Sequence, residues 1–274
     1  MIRICLAGAT GWVGESLVPA LDAAPDLDLV SVVARRAAGN RLAEALRVET
    51  LSPKVAKLVV RATVEEALAV PTDVLVDFTT PTSVERHAMA AIDRGVHVVI
   101  GTSGLTDADY ERIGAAAVRA GVGVLAAANF AITAVLMERF ALMAARHLSS
   151  WEVIDYGSAD KPDAPSGTAR QLAARLAQVG APAVLVPIEE TQGAPEARGL
   201  TLNGMQVHSV RLPGYVIGAE VLFGMPDQRL SIRYESSGSA EPYVNGTLLA
   251  VRAVGTFTGL RRGLDTLLDH DSNR

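Results

Sequence analysis

The chain is short of three things: it has one cysteine among 274 residues, five histidines and no excess of positive charge. Each shortage excludes a class of protein. A single cysteine, Cys5, permits no internal disulfide framework, and its apolar neighbours mark it as a small buried hydrophobe. No apolar run approaches the ~18–20 residues that a membrane-spanning helix needs. A net charge of -5 leaves no basic face for nucleic acid or an anionic membrane, so neither is expected as a partner. No charged and apolar leader stands ahead of the first strand pattern, which gives the expectation of a cytoplasmic protein. No His/Cys/Asp cluster has metal-ligand spacing, so no metal is expected. No Ser-His-Asp or Cys-His arrangement and no G-x-S-x-G turn is visible. Repeats and low-complexity segments are absent too. What the chain does have is 49% hydrophobic against 20% charged residues, enough for a large core.

Strand and helix patterns alternate through the first half. Apolar, β-branched runs at Ile2–Ala7, Leu27–Val33, Val74–Phe78, His97–Ile100 and Gly123–Ala127 read as strands covered on both faces. Helical patterns lie between them at Val13–Ala23, Val84–Arg94 and Asp107–Arg119. Alternation of this kind implies crossover connections and a doubly wound parallel sheet, the α/β class. After Asn129 the texture changes. A helix at Ala134–Leu148, a strand at Trp151–Tyr156, a Pro-rich stretch from Gly157 to Gly167 and a helix at Thr168–Val179 follow. Period-2 segments at Gln206–Arg211, Ala219–Phe223 and Arg229–Glu235 then predict an antiparallel sheet. A last helix, Tyr243–Val254, is apolar enough to return to the first domain. The predicted division is 1–128 plus 242–274 for the parallel-sheet domain, with 129–241 as an inserted α+β domain.

Gly8-Ala9-Thr10-Gly11-Trp12-Val13-Gly14 follows the first strand and opens the first helix. In that position the glycines suit a dinucleotide: one for the tight turn, one for approach of the pyrophosphate and one for close helix–strand packing. The second strand ends on Ala34-Arg35-Arg36, with no carboxylate to select the ribose hydroxyls of NADH. Two guanidinium groups there suit a 2′-phosphate, which favours NADPH with NADH still possible. Two solvated surface arginines are the alternative.

Asp160-Lys161-Pro162-Asp163-Ala164-Pro165-Ser166-Gly167-Thr168 precedes a helix. Hydroxyls and free amides at a helix start, with Lys161 upstream, make a carboxylate-sized anion site. A plain capping loop with a surface lysine is the competing reading.

Together with Asp77-Phe78-Thr79-Thr80-Pro81, Gly101-Thr102-Ser103-Gly104, Ala127-Ala128-Asn129-Phe130 and His208-Ser209-Val210-Arg211, these stretches make the chain resemble the 4-hydroxy-tetrahydrodipicolinate reductases (dihydrodipicolinate reductases) of bacterial lysine and diaminopimelate synthesis. The resemblance runs from end to end. It implies a Rossmann domain that binds NAD(P)H through Gly8, Thr10, Gly11, Trp12, Val13, Gly14, Arg35, Arg36, Phe78, Thr79, Thr80, Gly101, Thr102, Ser103, Ala127, Ala128, Asn129 and Phe130. It implies a dicarboxylate substrate gripped by Ser103, Lys161, Ser166, Gly167 and Thr168, and a homotetramer joined through the sheet of the inserted domain. Hydride would add to a ring carbon of a cyclic imine dicarboxylate.

The chain departs from that family at one place. Members usually carry two histidines four and three residues before the lysine, one of them the proposed proton donor; here those positions are Gly157 and Ser158. Many members also have an arginine shortly before the last helix, where this chain reads Ser239-Ala240-Glu241. Losing a general acid lowers a rate by about 10²- to 10⁴-fold, a loss that positioning worth ~7–11 kcal/mol can outlast. The catalytic candidates are therefore Lys161, Ser158 and Asp160, with a water held by Ser158, Asp160 or Tyr156 delivering the proton. His87, His97, His147, His208 and His270 read as surface or packed residues. The alternatives are a paralogous reductase of another imine or keto acid, or a non-catalytic NADPH-binding protein.

Overall fold

The computed structural model describes residues 1–268. Its strands, in chain order, are β1 (Ile2–Ala7), β2 (Leu27–Val33), β3 (Val74–Asp77), β4 (His97–Ile100), β5 (Gly123–Ala126), β6 (Ser150–Gly157), β7 (Leu200–Leu202), β8 (Met205–Arg211), β9 (Ile217–Met225), β10 (Gln228–Ser236) and β11 (Gly259–Arg262). The chain divides into two compact units, Met1–Ile132 with the segment from Ala240 onward, and Thr133–Ser239.

The first unit holds a six-stranded sheet in the order β11-β5-β4-β3-β1-β2, with every adjacent pair parallel. β3 and β5 are buried along their whole length, the pattern of strands covered on both faces. All six strands point the same way, so the loops after β1, β3, β4 and β5 gather along one edge. The helix Pro81–Ile92 begins three residues before the pattern's Val84, because Pro81 occupies its first position, where a missing N–H is no loss. Asp107–Ala120 is capped by Thr106 and Asp109 in reciprocal hydrogen bonds and ends on Gly121 at φ 70°. The helix Pro242–Ala253 buries Val244, Gly246, Leu248, Ala250 and Val251, its Arg252 makes a two-bond ion pair with Asp26, and one short helix, Asp265–Leu268, follows. β11 escapes the sequence pattern because four residues ending in two arginines carry no apolar run.

In the second unit five strands lie in the order β10-β9-β6-β8-β7. The antiparallel expectation is corrected here: β6 and β8 pair in parallel, and the remaining neighbours antiparallel. The reason is the intervening helix Gly167–Val179, a connection long enough to carry the chain back to the same end of the sheet. That helix buries Ala169, Leu172, Ala173 and Leu176, one stripe at three- and four-residue spacing. A further helix runs Ile132–Ala145, starting earlier than the predicted Ala134. No helix among the described residues is long and apolar enough to cross a membrane.

Candidate active site

The glycine turn is built as its spacing requires. Gly8 has φ +89°, and a Cβ there would strike the Phe78 carbonyl. A Cβ on Gly14 would strike the Gly8 carbonyl, so the helix can approach the turn only through glycine. Gly11 is the N-cap of the helix Trp12–Ala23 and supplies no side-chain cap, which leaves the first-turn amides of Trp12, Val13 and Gly14 without intrahelical acceptors. Such a helix end is a ready anion site.

A cavity of about 340 Å³ opens beside this turn. Gly8, Thr10 and Gly11 line it together with Arg35, Arg36, Phe78, Thr79 and Thr80, so eight of the predicted cofactor residues share one space. No carboxylate is among the lining residues. Arg35 and Arg36 sit in a short 3-10 turn after β2, both exposed. Its volume is near the lower end of ligand pockets, ~300–1,000 Å³, which suits one half of a dinucleotide. The donor set fits the phosphate-bearing part of such a cofactor.

Gly101, Thr102, Ser103, Ala127, Ala128, Asn129 and Phe130 do not line that cavity; they follow β4 and β5 on the same sheet edge. Thr102 is buried and bonds the Asp77 carboxylate at 2.7 Å, while Ser103 is exposed. A side chain on Gly101 would collide with the Phe78 ring, which itself meets Phe130 edge-on at 5.5 Å. Asn129 accepts a hydrogen bond from the Ala131 amide. Trp12 is 58% exposed and packs edge-on against Tyr243.

The sequence reading missed Ala62, Thr63, Ser83, Arg86 and His87, which also line the cavity. Ala62 and Thr63 arrive through an irregular segment held to β2 by a bridge between Val33 and Arg61, where no periodicity gives notice. Arg86 and His87 carry a signal, two adjacent basic residues on the helix after β3, but sequence reasoning takes His87 only as a surface or packed residue and nothing in the sequence singles out Arg86.

In the second unit the loop before Gly167–Val179 is tied down by one buried carboxylate. Asp155 accepts the Ser166 amide at 2.8 Å and its hydroxyl at 2.6 Å, and Arg211 lies 2.7 Å from the same group. Arg211 also reaches the Asp163 carbonyl at 2.7 Å, so it clamps the loop to β6 and β8. The Ser166 hydroxyl caps the helix by accepting from Ala169, which leaves it buried and fully bonded. Ser166 is thus the N-cap, and the helix begins at Gly167, one residue before the expected Thr168. The exposed Gly167 and part-exposed Thr168 carry the free first-turn amides. Lys161 pairs with Asp163 at 2.7 Å, and that contact is the first cause of the lowered Asp163 carboxyl pKa.

The sequence description "Dihydrodipicolinate reductase, N-terminus" matches residues 2–130, and "Dihydrodipicolinate reductase, C-terminus" matches 133–268. The 4-hydroxy-tetrahydrodipicolinate reductase of Halalkalibacterium halodurans is 38% identical over 98% of this chain and 100% of its own length. That of Bacillus velezensis is 35% identical over 98% of both. The chain belongs to the dihydrodipicolinate reductase family. A solved dihydrodipicolinate reductase from Paenisporosarcina sp. TG-14, bound to dipicolinate, covers 97% of this chain and is itself covered to 99%, at 31% identity and a TM-score of 0.85. An amine dehydrogenase from Mycobacterium smegmatis shares the fold alone, with 14% identity and a TM-score of 0.63. Membership makes this chain an NAD(P)H-dependent oxidoreductase with a Rossmann-like domain.

Against the dihydrodipicolinate reductase pattern, Gly157 and Ser158 stand out. The place of a Cβ on Gly157 lies 3.0 Å from Lys161 Cδ and 3.1 Å from Arg211 Nε, so two cationic side chains pack onto this glycine. Ser158 bonds Asp160, the first cause of that exposed carboxyl lying below its ordinary range. Tyr156 is already committed: its hydroxyl donates to Glu220 at 2.8 Å, and burial first, then Glu220, pushes its pKa up to about 12. His208 pairs with Glu152, His97 accepts from the Gly123 amide, His147 is exposed, and His87 is buried against Asp77. His270 lies outside the described residues.

Proposed function

We propose that this chain reduces 4-hydroxy-tetrahydrodipicolinate, or a close cyclic imine dicarboxylate, with NADPH in the cytoplasmic synthesis of lysine and diaminopimelate. The reduced nicotinamide supplies the hydride when the cofactor is bound. The chain's own groups do the rest. Gly8, Thr10, Gly11, Trp12, Val13 and Gly14 take the pyrophosphate on free amides, and Arg35 with Arg36 takes the 2′-phosphate. Phe78–Thr80, Gly101–Ser103 and Ala127–Phe130 seat the nicotinamide half. Lys161 exchanges its Asp163 partner for a substrate carboxylate, and Gly167 and Thr168 offer amides and a hydroxyl to it. Ser103 is the remaining substrate contact, and Ser166 acts as the helix cap that holds these donors. Ser158 and Asp160 orient the water that supplies the proton.

The observation that supports this reading is the loop from Lys161 to Thr168, anchored by Asp155 and Arg211 with Lys161 paired to Asp163. The test is nicotinamide oxidation with freshly generated 4-hydroxy-tetrahydrodipicolinate beside a panel of cyclic imines and keto acids. Strong turnover on the first substrate is expected. One observation favours a second reading, a paralogue acting on another imine acid: Gly157 is packed under Lys161 and Arg211 where relatives usually have a histidine. A homotetramer through the second unit's sheet is also proposed, supported by exposed Leu200, Leu222 and Leu230 on its strands. Light scattering tests it.

A further inference from the structure

The cavity beside the glycine turn has two basic walls. At the end of β2 stand Arg35 and Arg36, with no ion-pair partner among the described residues. The helix Pro81–Ile92 supplies Ser83, Arg86 and His87 to the same cavity. Arg86 is not left to wander there. Its Nη2 lies 3.2 Å from His87 Nε2, and its Nη1 bonds Glu65. His87 is itself fixed, since its Nδ1 lies 2.8 Å from Asp77 Oδ2. A carboxylate at Nδ1 selects the tautomer that carries the proton there, which leaves Nε2 as an acceptor for the arginine. Asp77 is wholly buried and also binds Thr79 and Thr102, so its own position is over-determined.

This chain of contacts, Asp77 to His87 to Arg86, runs from the core to the rim of the cavity. A guanidinium held in this way is preorganised, and its remaining N–H groups suit a phosphate bound through two oxygens. We infer that Arg86 is a specificity-determining residue for the phosphorylated adenosine end of the cofactor, acting across the cavity from Arg35 and Arg36, with His87 as its positioning residue. The inference rests on the cofactor reading above and deepens it. Glu65 works against it: as the competing anion, it holds part of Arg86 until a phosphate arrives.

The test is calorimetry with adenosine 2′,5′-bisphosphate and adenosine 5′-monophosphate, so no turnover is needed. Wild type should prefer the bisphosphate. Arg86→Gln should weaken the bisphosphate by about tenfold or more, the scale of a charge-assisted hydrogen bond, and the monophosphate by less than about twofold. Glu65→Gln should tighten the bisphosphate alone. His87→Leu should weaken it in the same selective way and add nothing in the Arg86→Gln background, because both changes remove one seat. Equal losses for the two nucleotides in Arg86→Gln would overturn the inference, since that is the signature of stacking on adenine. No change in Arg86→Gln overturns it too, and if that variant does not fold, absence of tightening in Glu65→Gln decides against it. Wild type that binds neither nucleotide would sink the cofactor reading itself.

Discussion

Arg211 lies 2.7 Å from Asp155, whose side chain is fully buried, and this pair fastens the loop before the helix Gly167–Val179 to the sheet beneath it. Removing one partner strands the other's charge in the interior, which typically destabilises a fold by ~3–5 kcal/mol. Asp155→Ala also frees the Ser166 amide and hydroxyl. The expected outcome is a fall in stability of that order by urea unfolding, with residual protein binding substrate weakly and NADPH normally. An unchanged unfolding midpoint would show that the clamp contributes little.

On the proposed reading cofactor choice falls to Arg35 and Arg36, since no acid lines the cavity they border. Calorimetry should show NADPH binding at least as tightly as NADH. The Arg35→Ala, Arg36→Ala double variant should lose NADPH affinity while keeping NADH. Equal losses would mean that these arginines do not contact the 2′-phosphate.

Lys161 and Thr168 are proposed to hold the other ligand, the dicarboxylate. Lys161→Ala should raise KM and lower kcat with NADPH affinity near wild type, because an ammonium paired with a carboxylate acts strongly where the effective dielectric is low. Thr168→Val should raise KM alone. Steady-state kinetics beside NADPH titration separates the two effects. A parallel loss of cofactor binding in both variants would make the loop a hinge.

The last two tests concern residues that were legible from the sequence, and the reason is local. The glycine turn, Lys161 and the Pro165–Thr168 run announce themselves through backbone chemistry confined to a few neighbouring residues. Alternating apolar runs gave the parallel sheet in the same way. What stayed hidden depends on distant partners. The Asp155 carboxylate meets Arg211 across 56 residues of chain, and no pattern marks that pairing. Thr102 finds Asp77 across 25. β11 is too short and too basic to be read as a strand until β5 pairs with it. Even the parallel pairing of β6 with β8 follows from a connection, which the period-2 pattern of each strand does not contain.

Acid stability has a specific contributor in the first unit. Arg252 makes two hydrogen bonds to Asp26, and these first of all hold its carboxyl at about 2, against an ordinary 3.8. A lowered folded-state pKa adds stability above the unfolded value and loses it as pH falls through the folded one. Wild type and Arg252→Gln should therefore differ by a constant, modest amount in urea midpoint from neutral pH down to about 5, the pair being exposed. Between pH ~4 and ~2 the difference should vanish. A difference that persists to pH 2 would place the effect in packing of the arginine stem instead.

The sharpest prediction concerns proton delivery at Gly157 and Ser158. Asp160 is held below the usual carboxylate range, chiefly by the Ser158 hydroxyl, so at neutral pH it is suited to accepting from a water and not to acting as the acid. Tyr156, pushed up to about 12 and bound to Glu220, keeps its proton. With water as the donor, no imidazole near pKa ~6.5 should shape the pH dependence of kcat or kcat/KM. Any limb in that range should survive His208→Gln, because His208 is engaged with Glu152. Ser158→His should introduce a new limb near pH 6.5 and raise turnover below it, where the added imidazole is protonated. The reverse result settles the matter against water. A wild-type limb near 6.5 that disappears with His208 or another histidine would identify that residue as the acid. Inactivity on 4-hydroxy-tetrahydrodipicolinate together with fast reduction of a simple keto acid would instead remove the need for this acid and move the chain to another substrate.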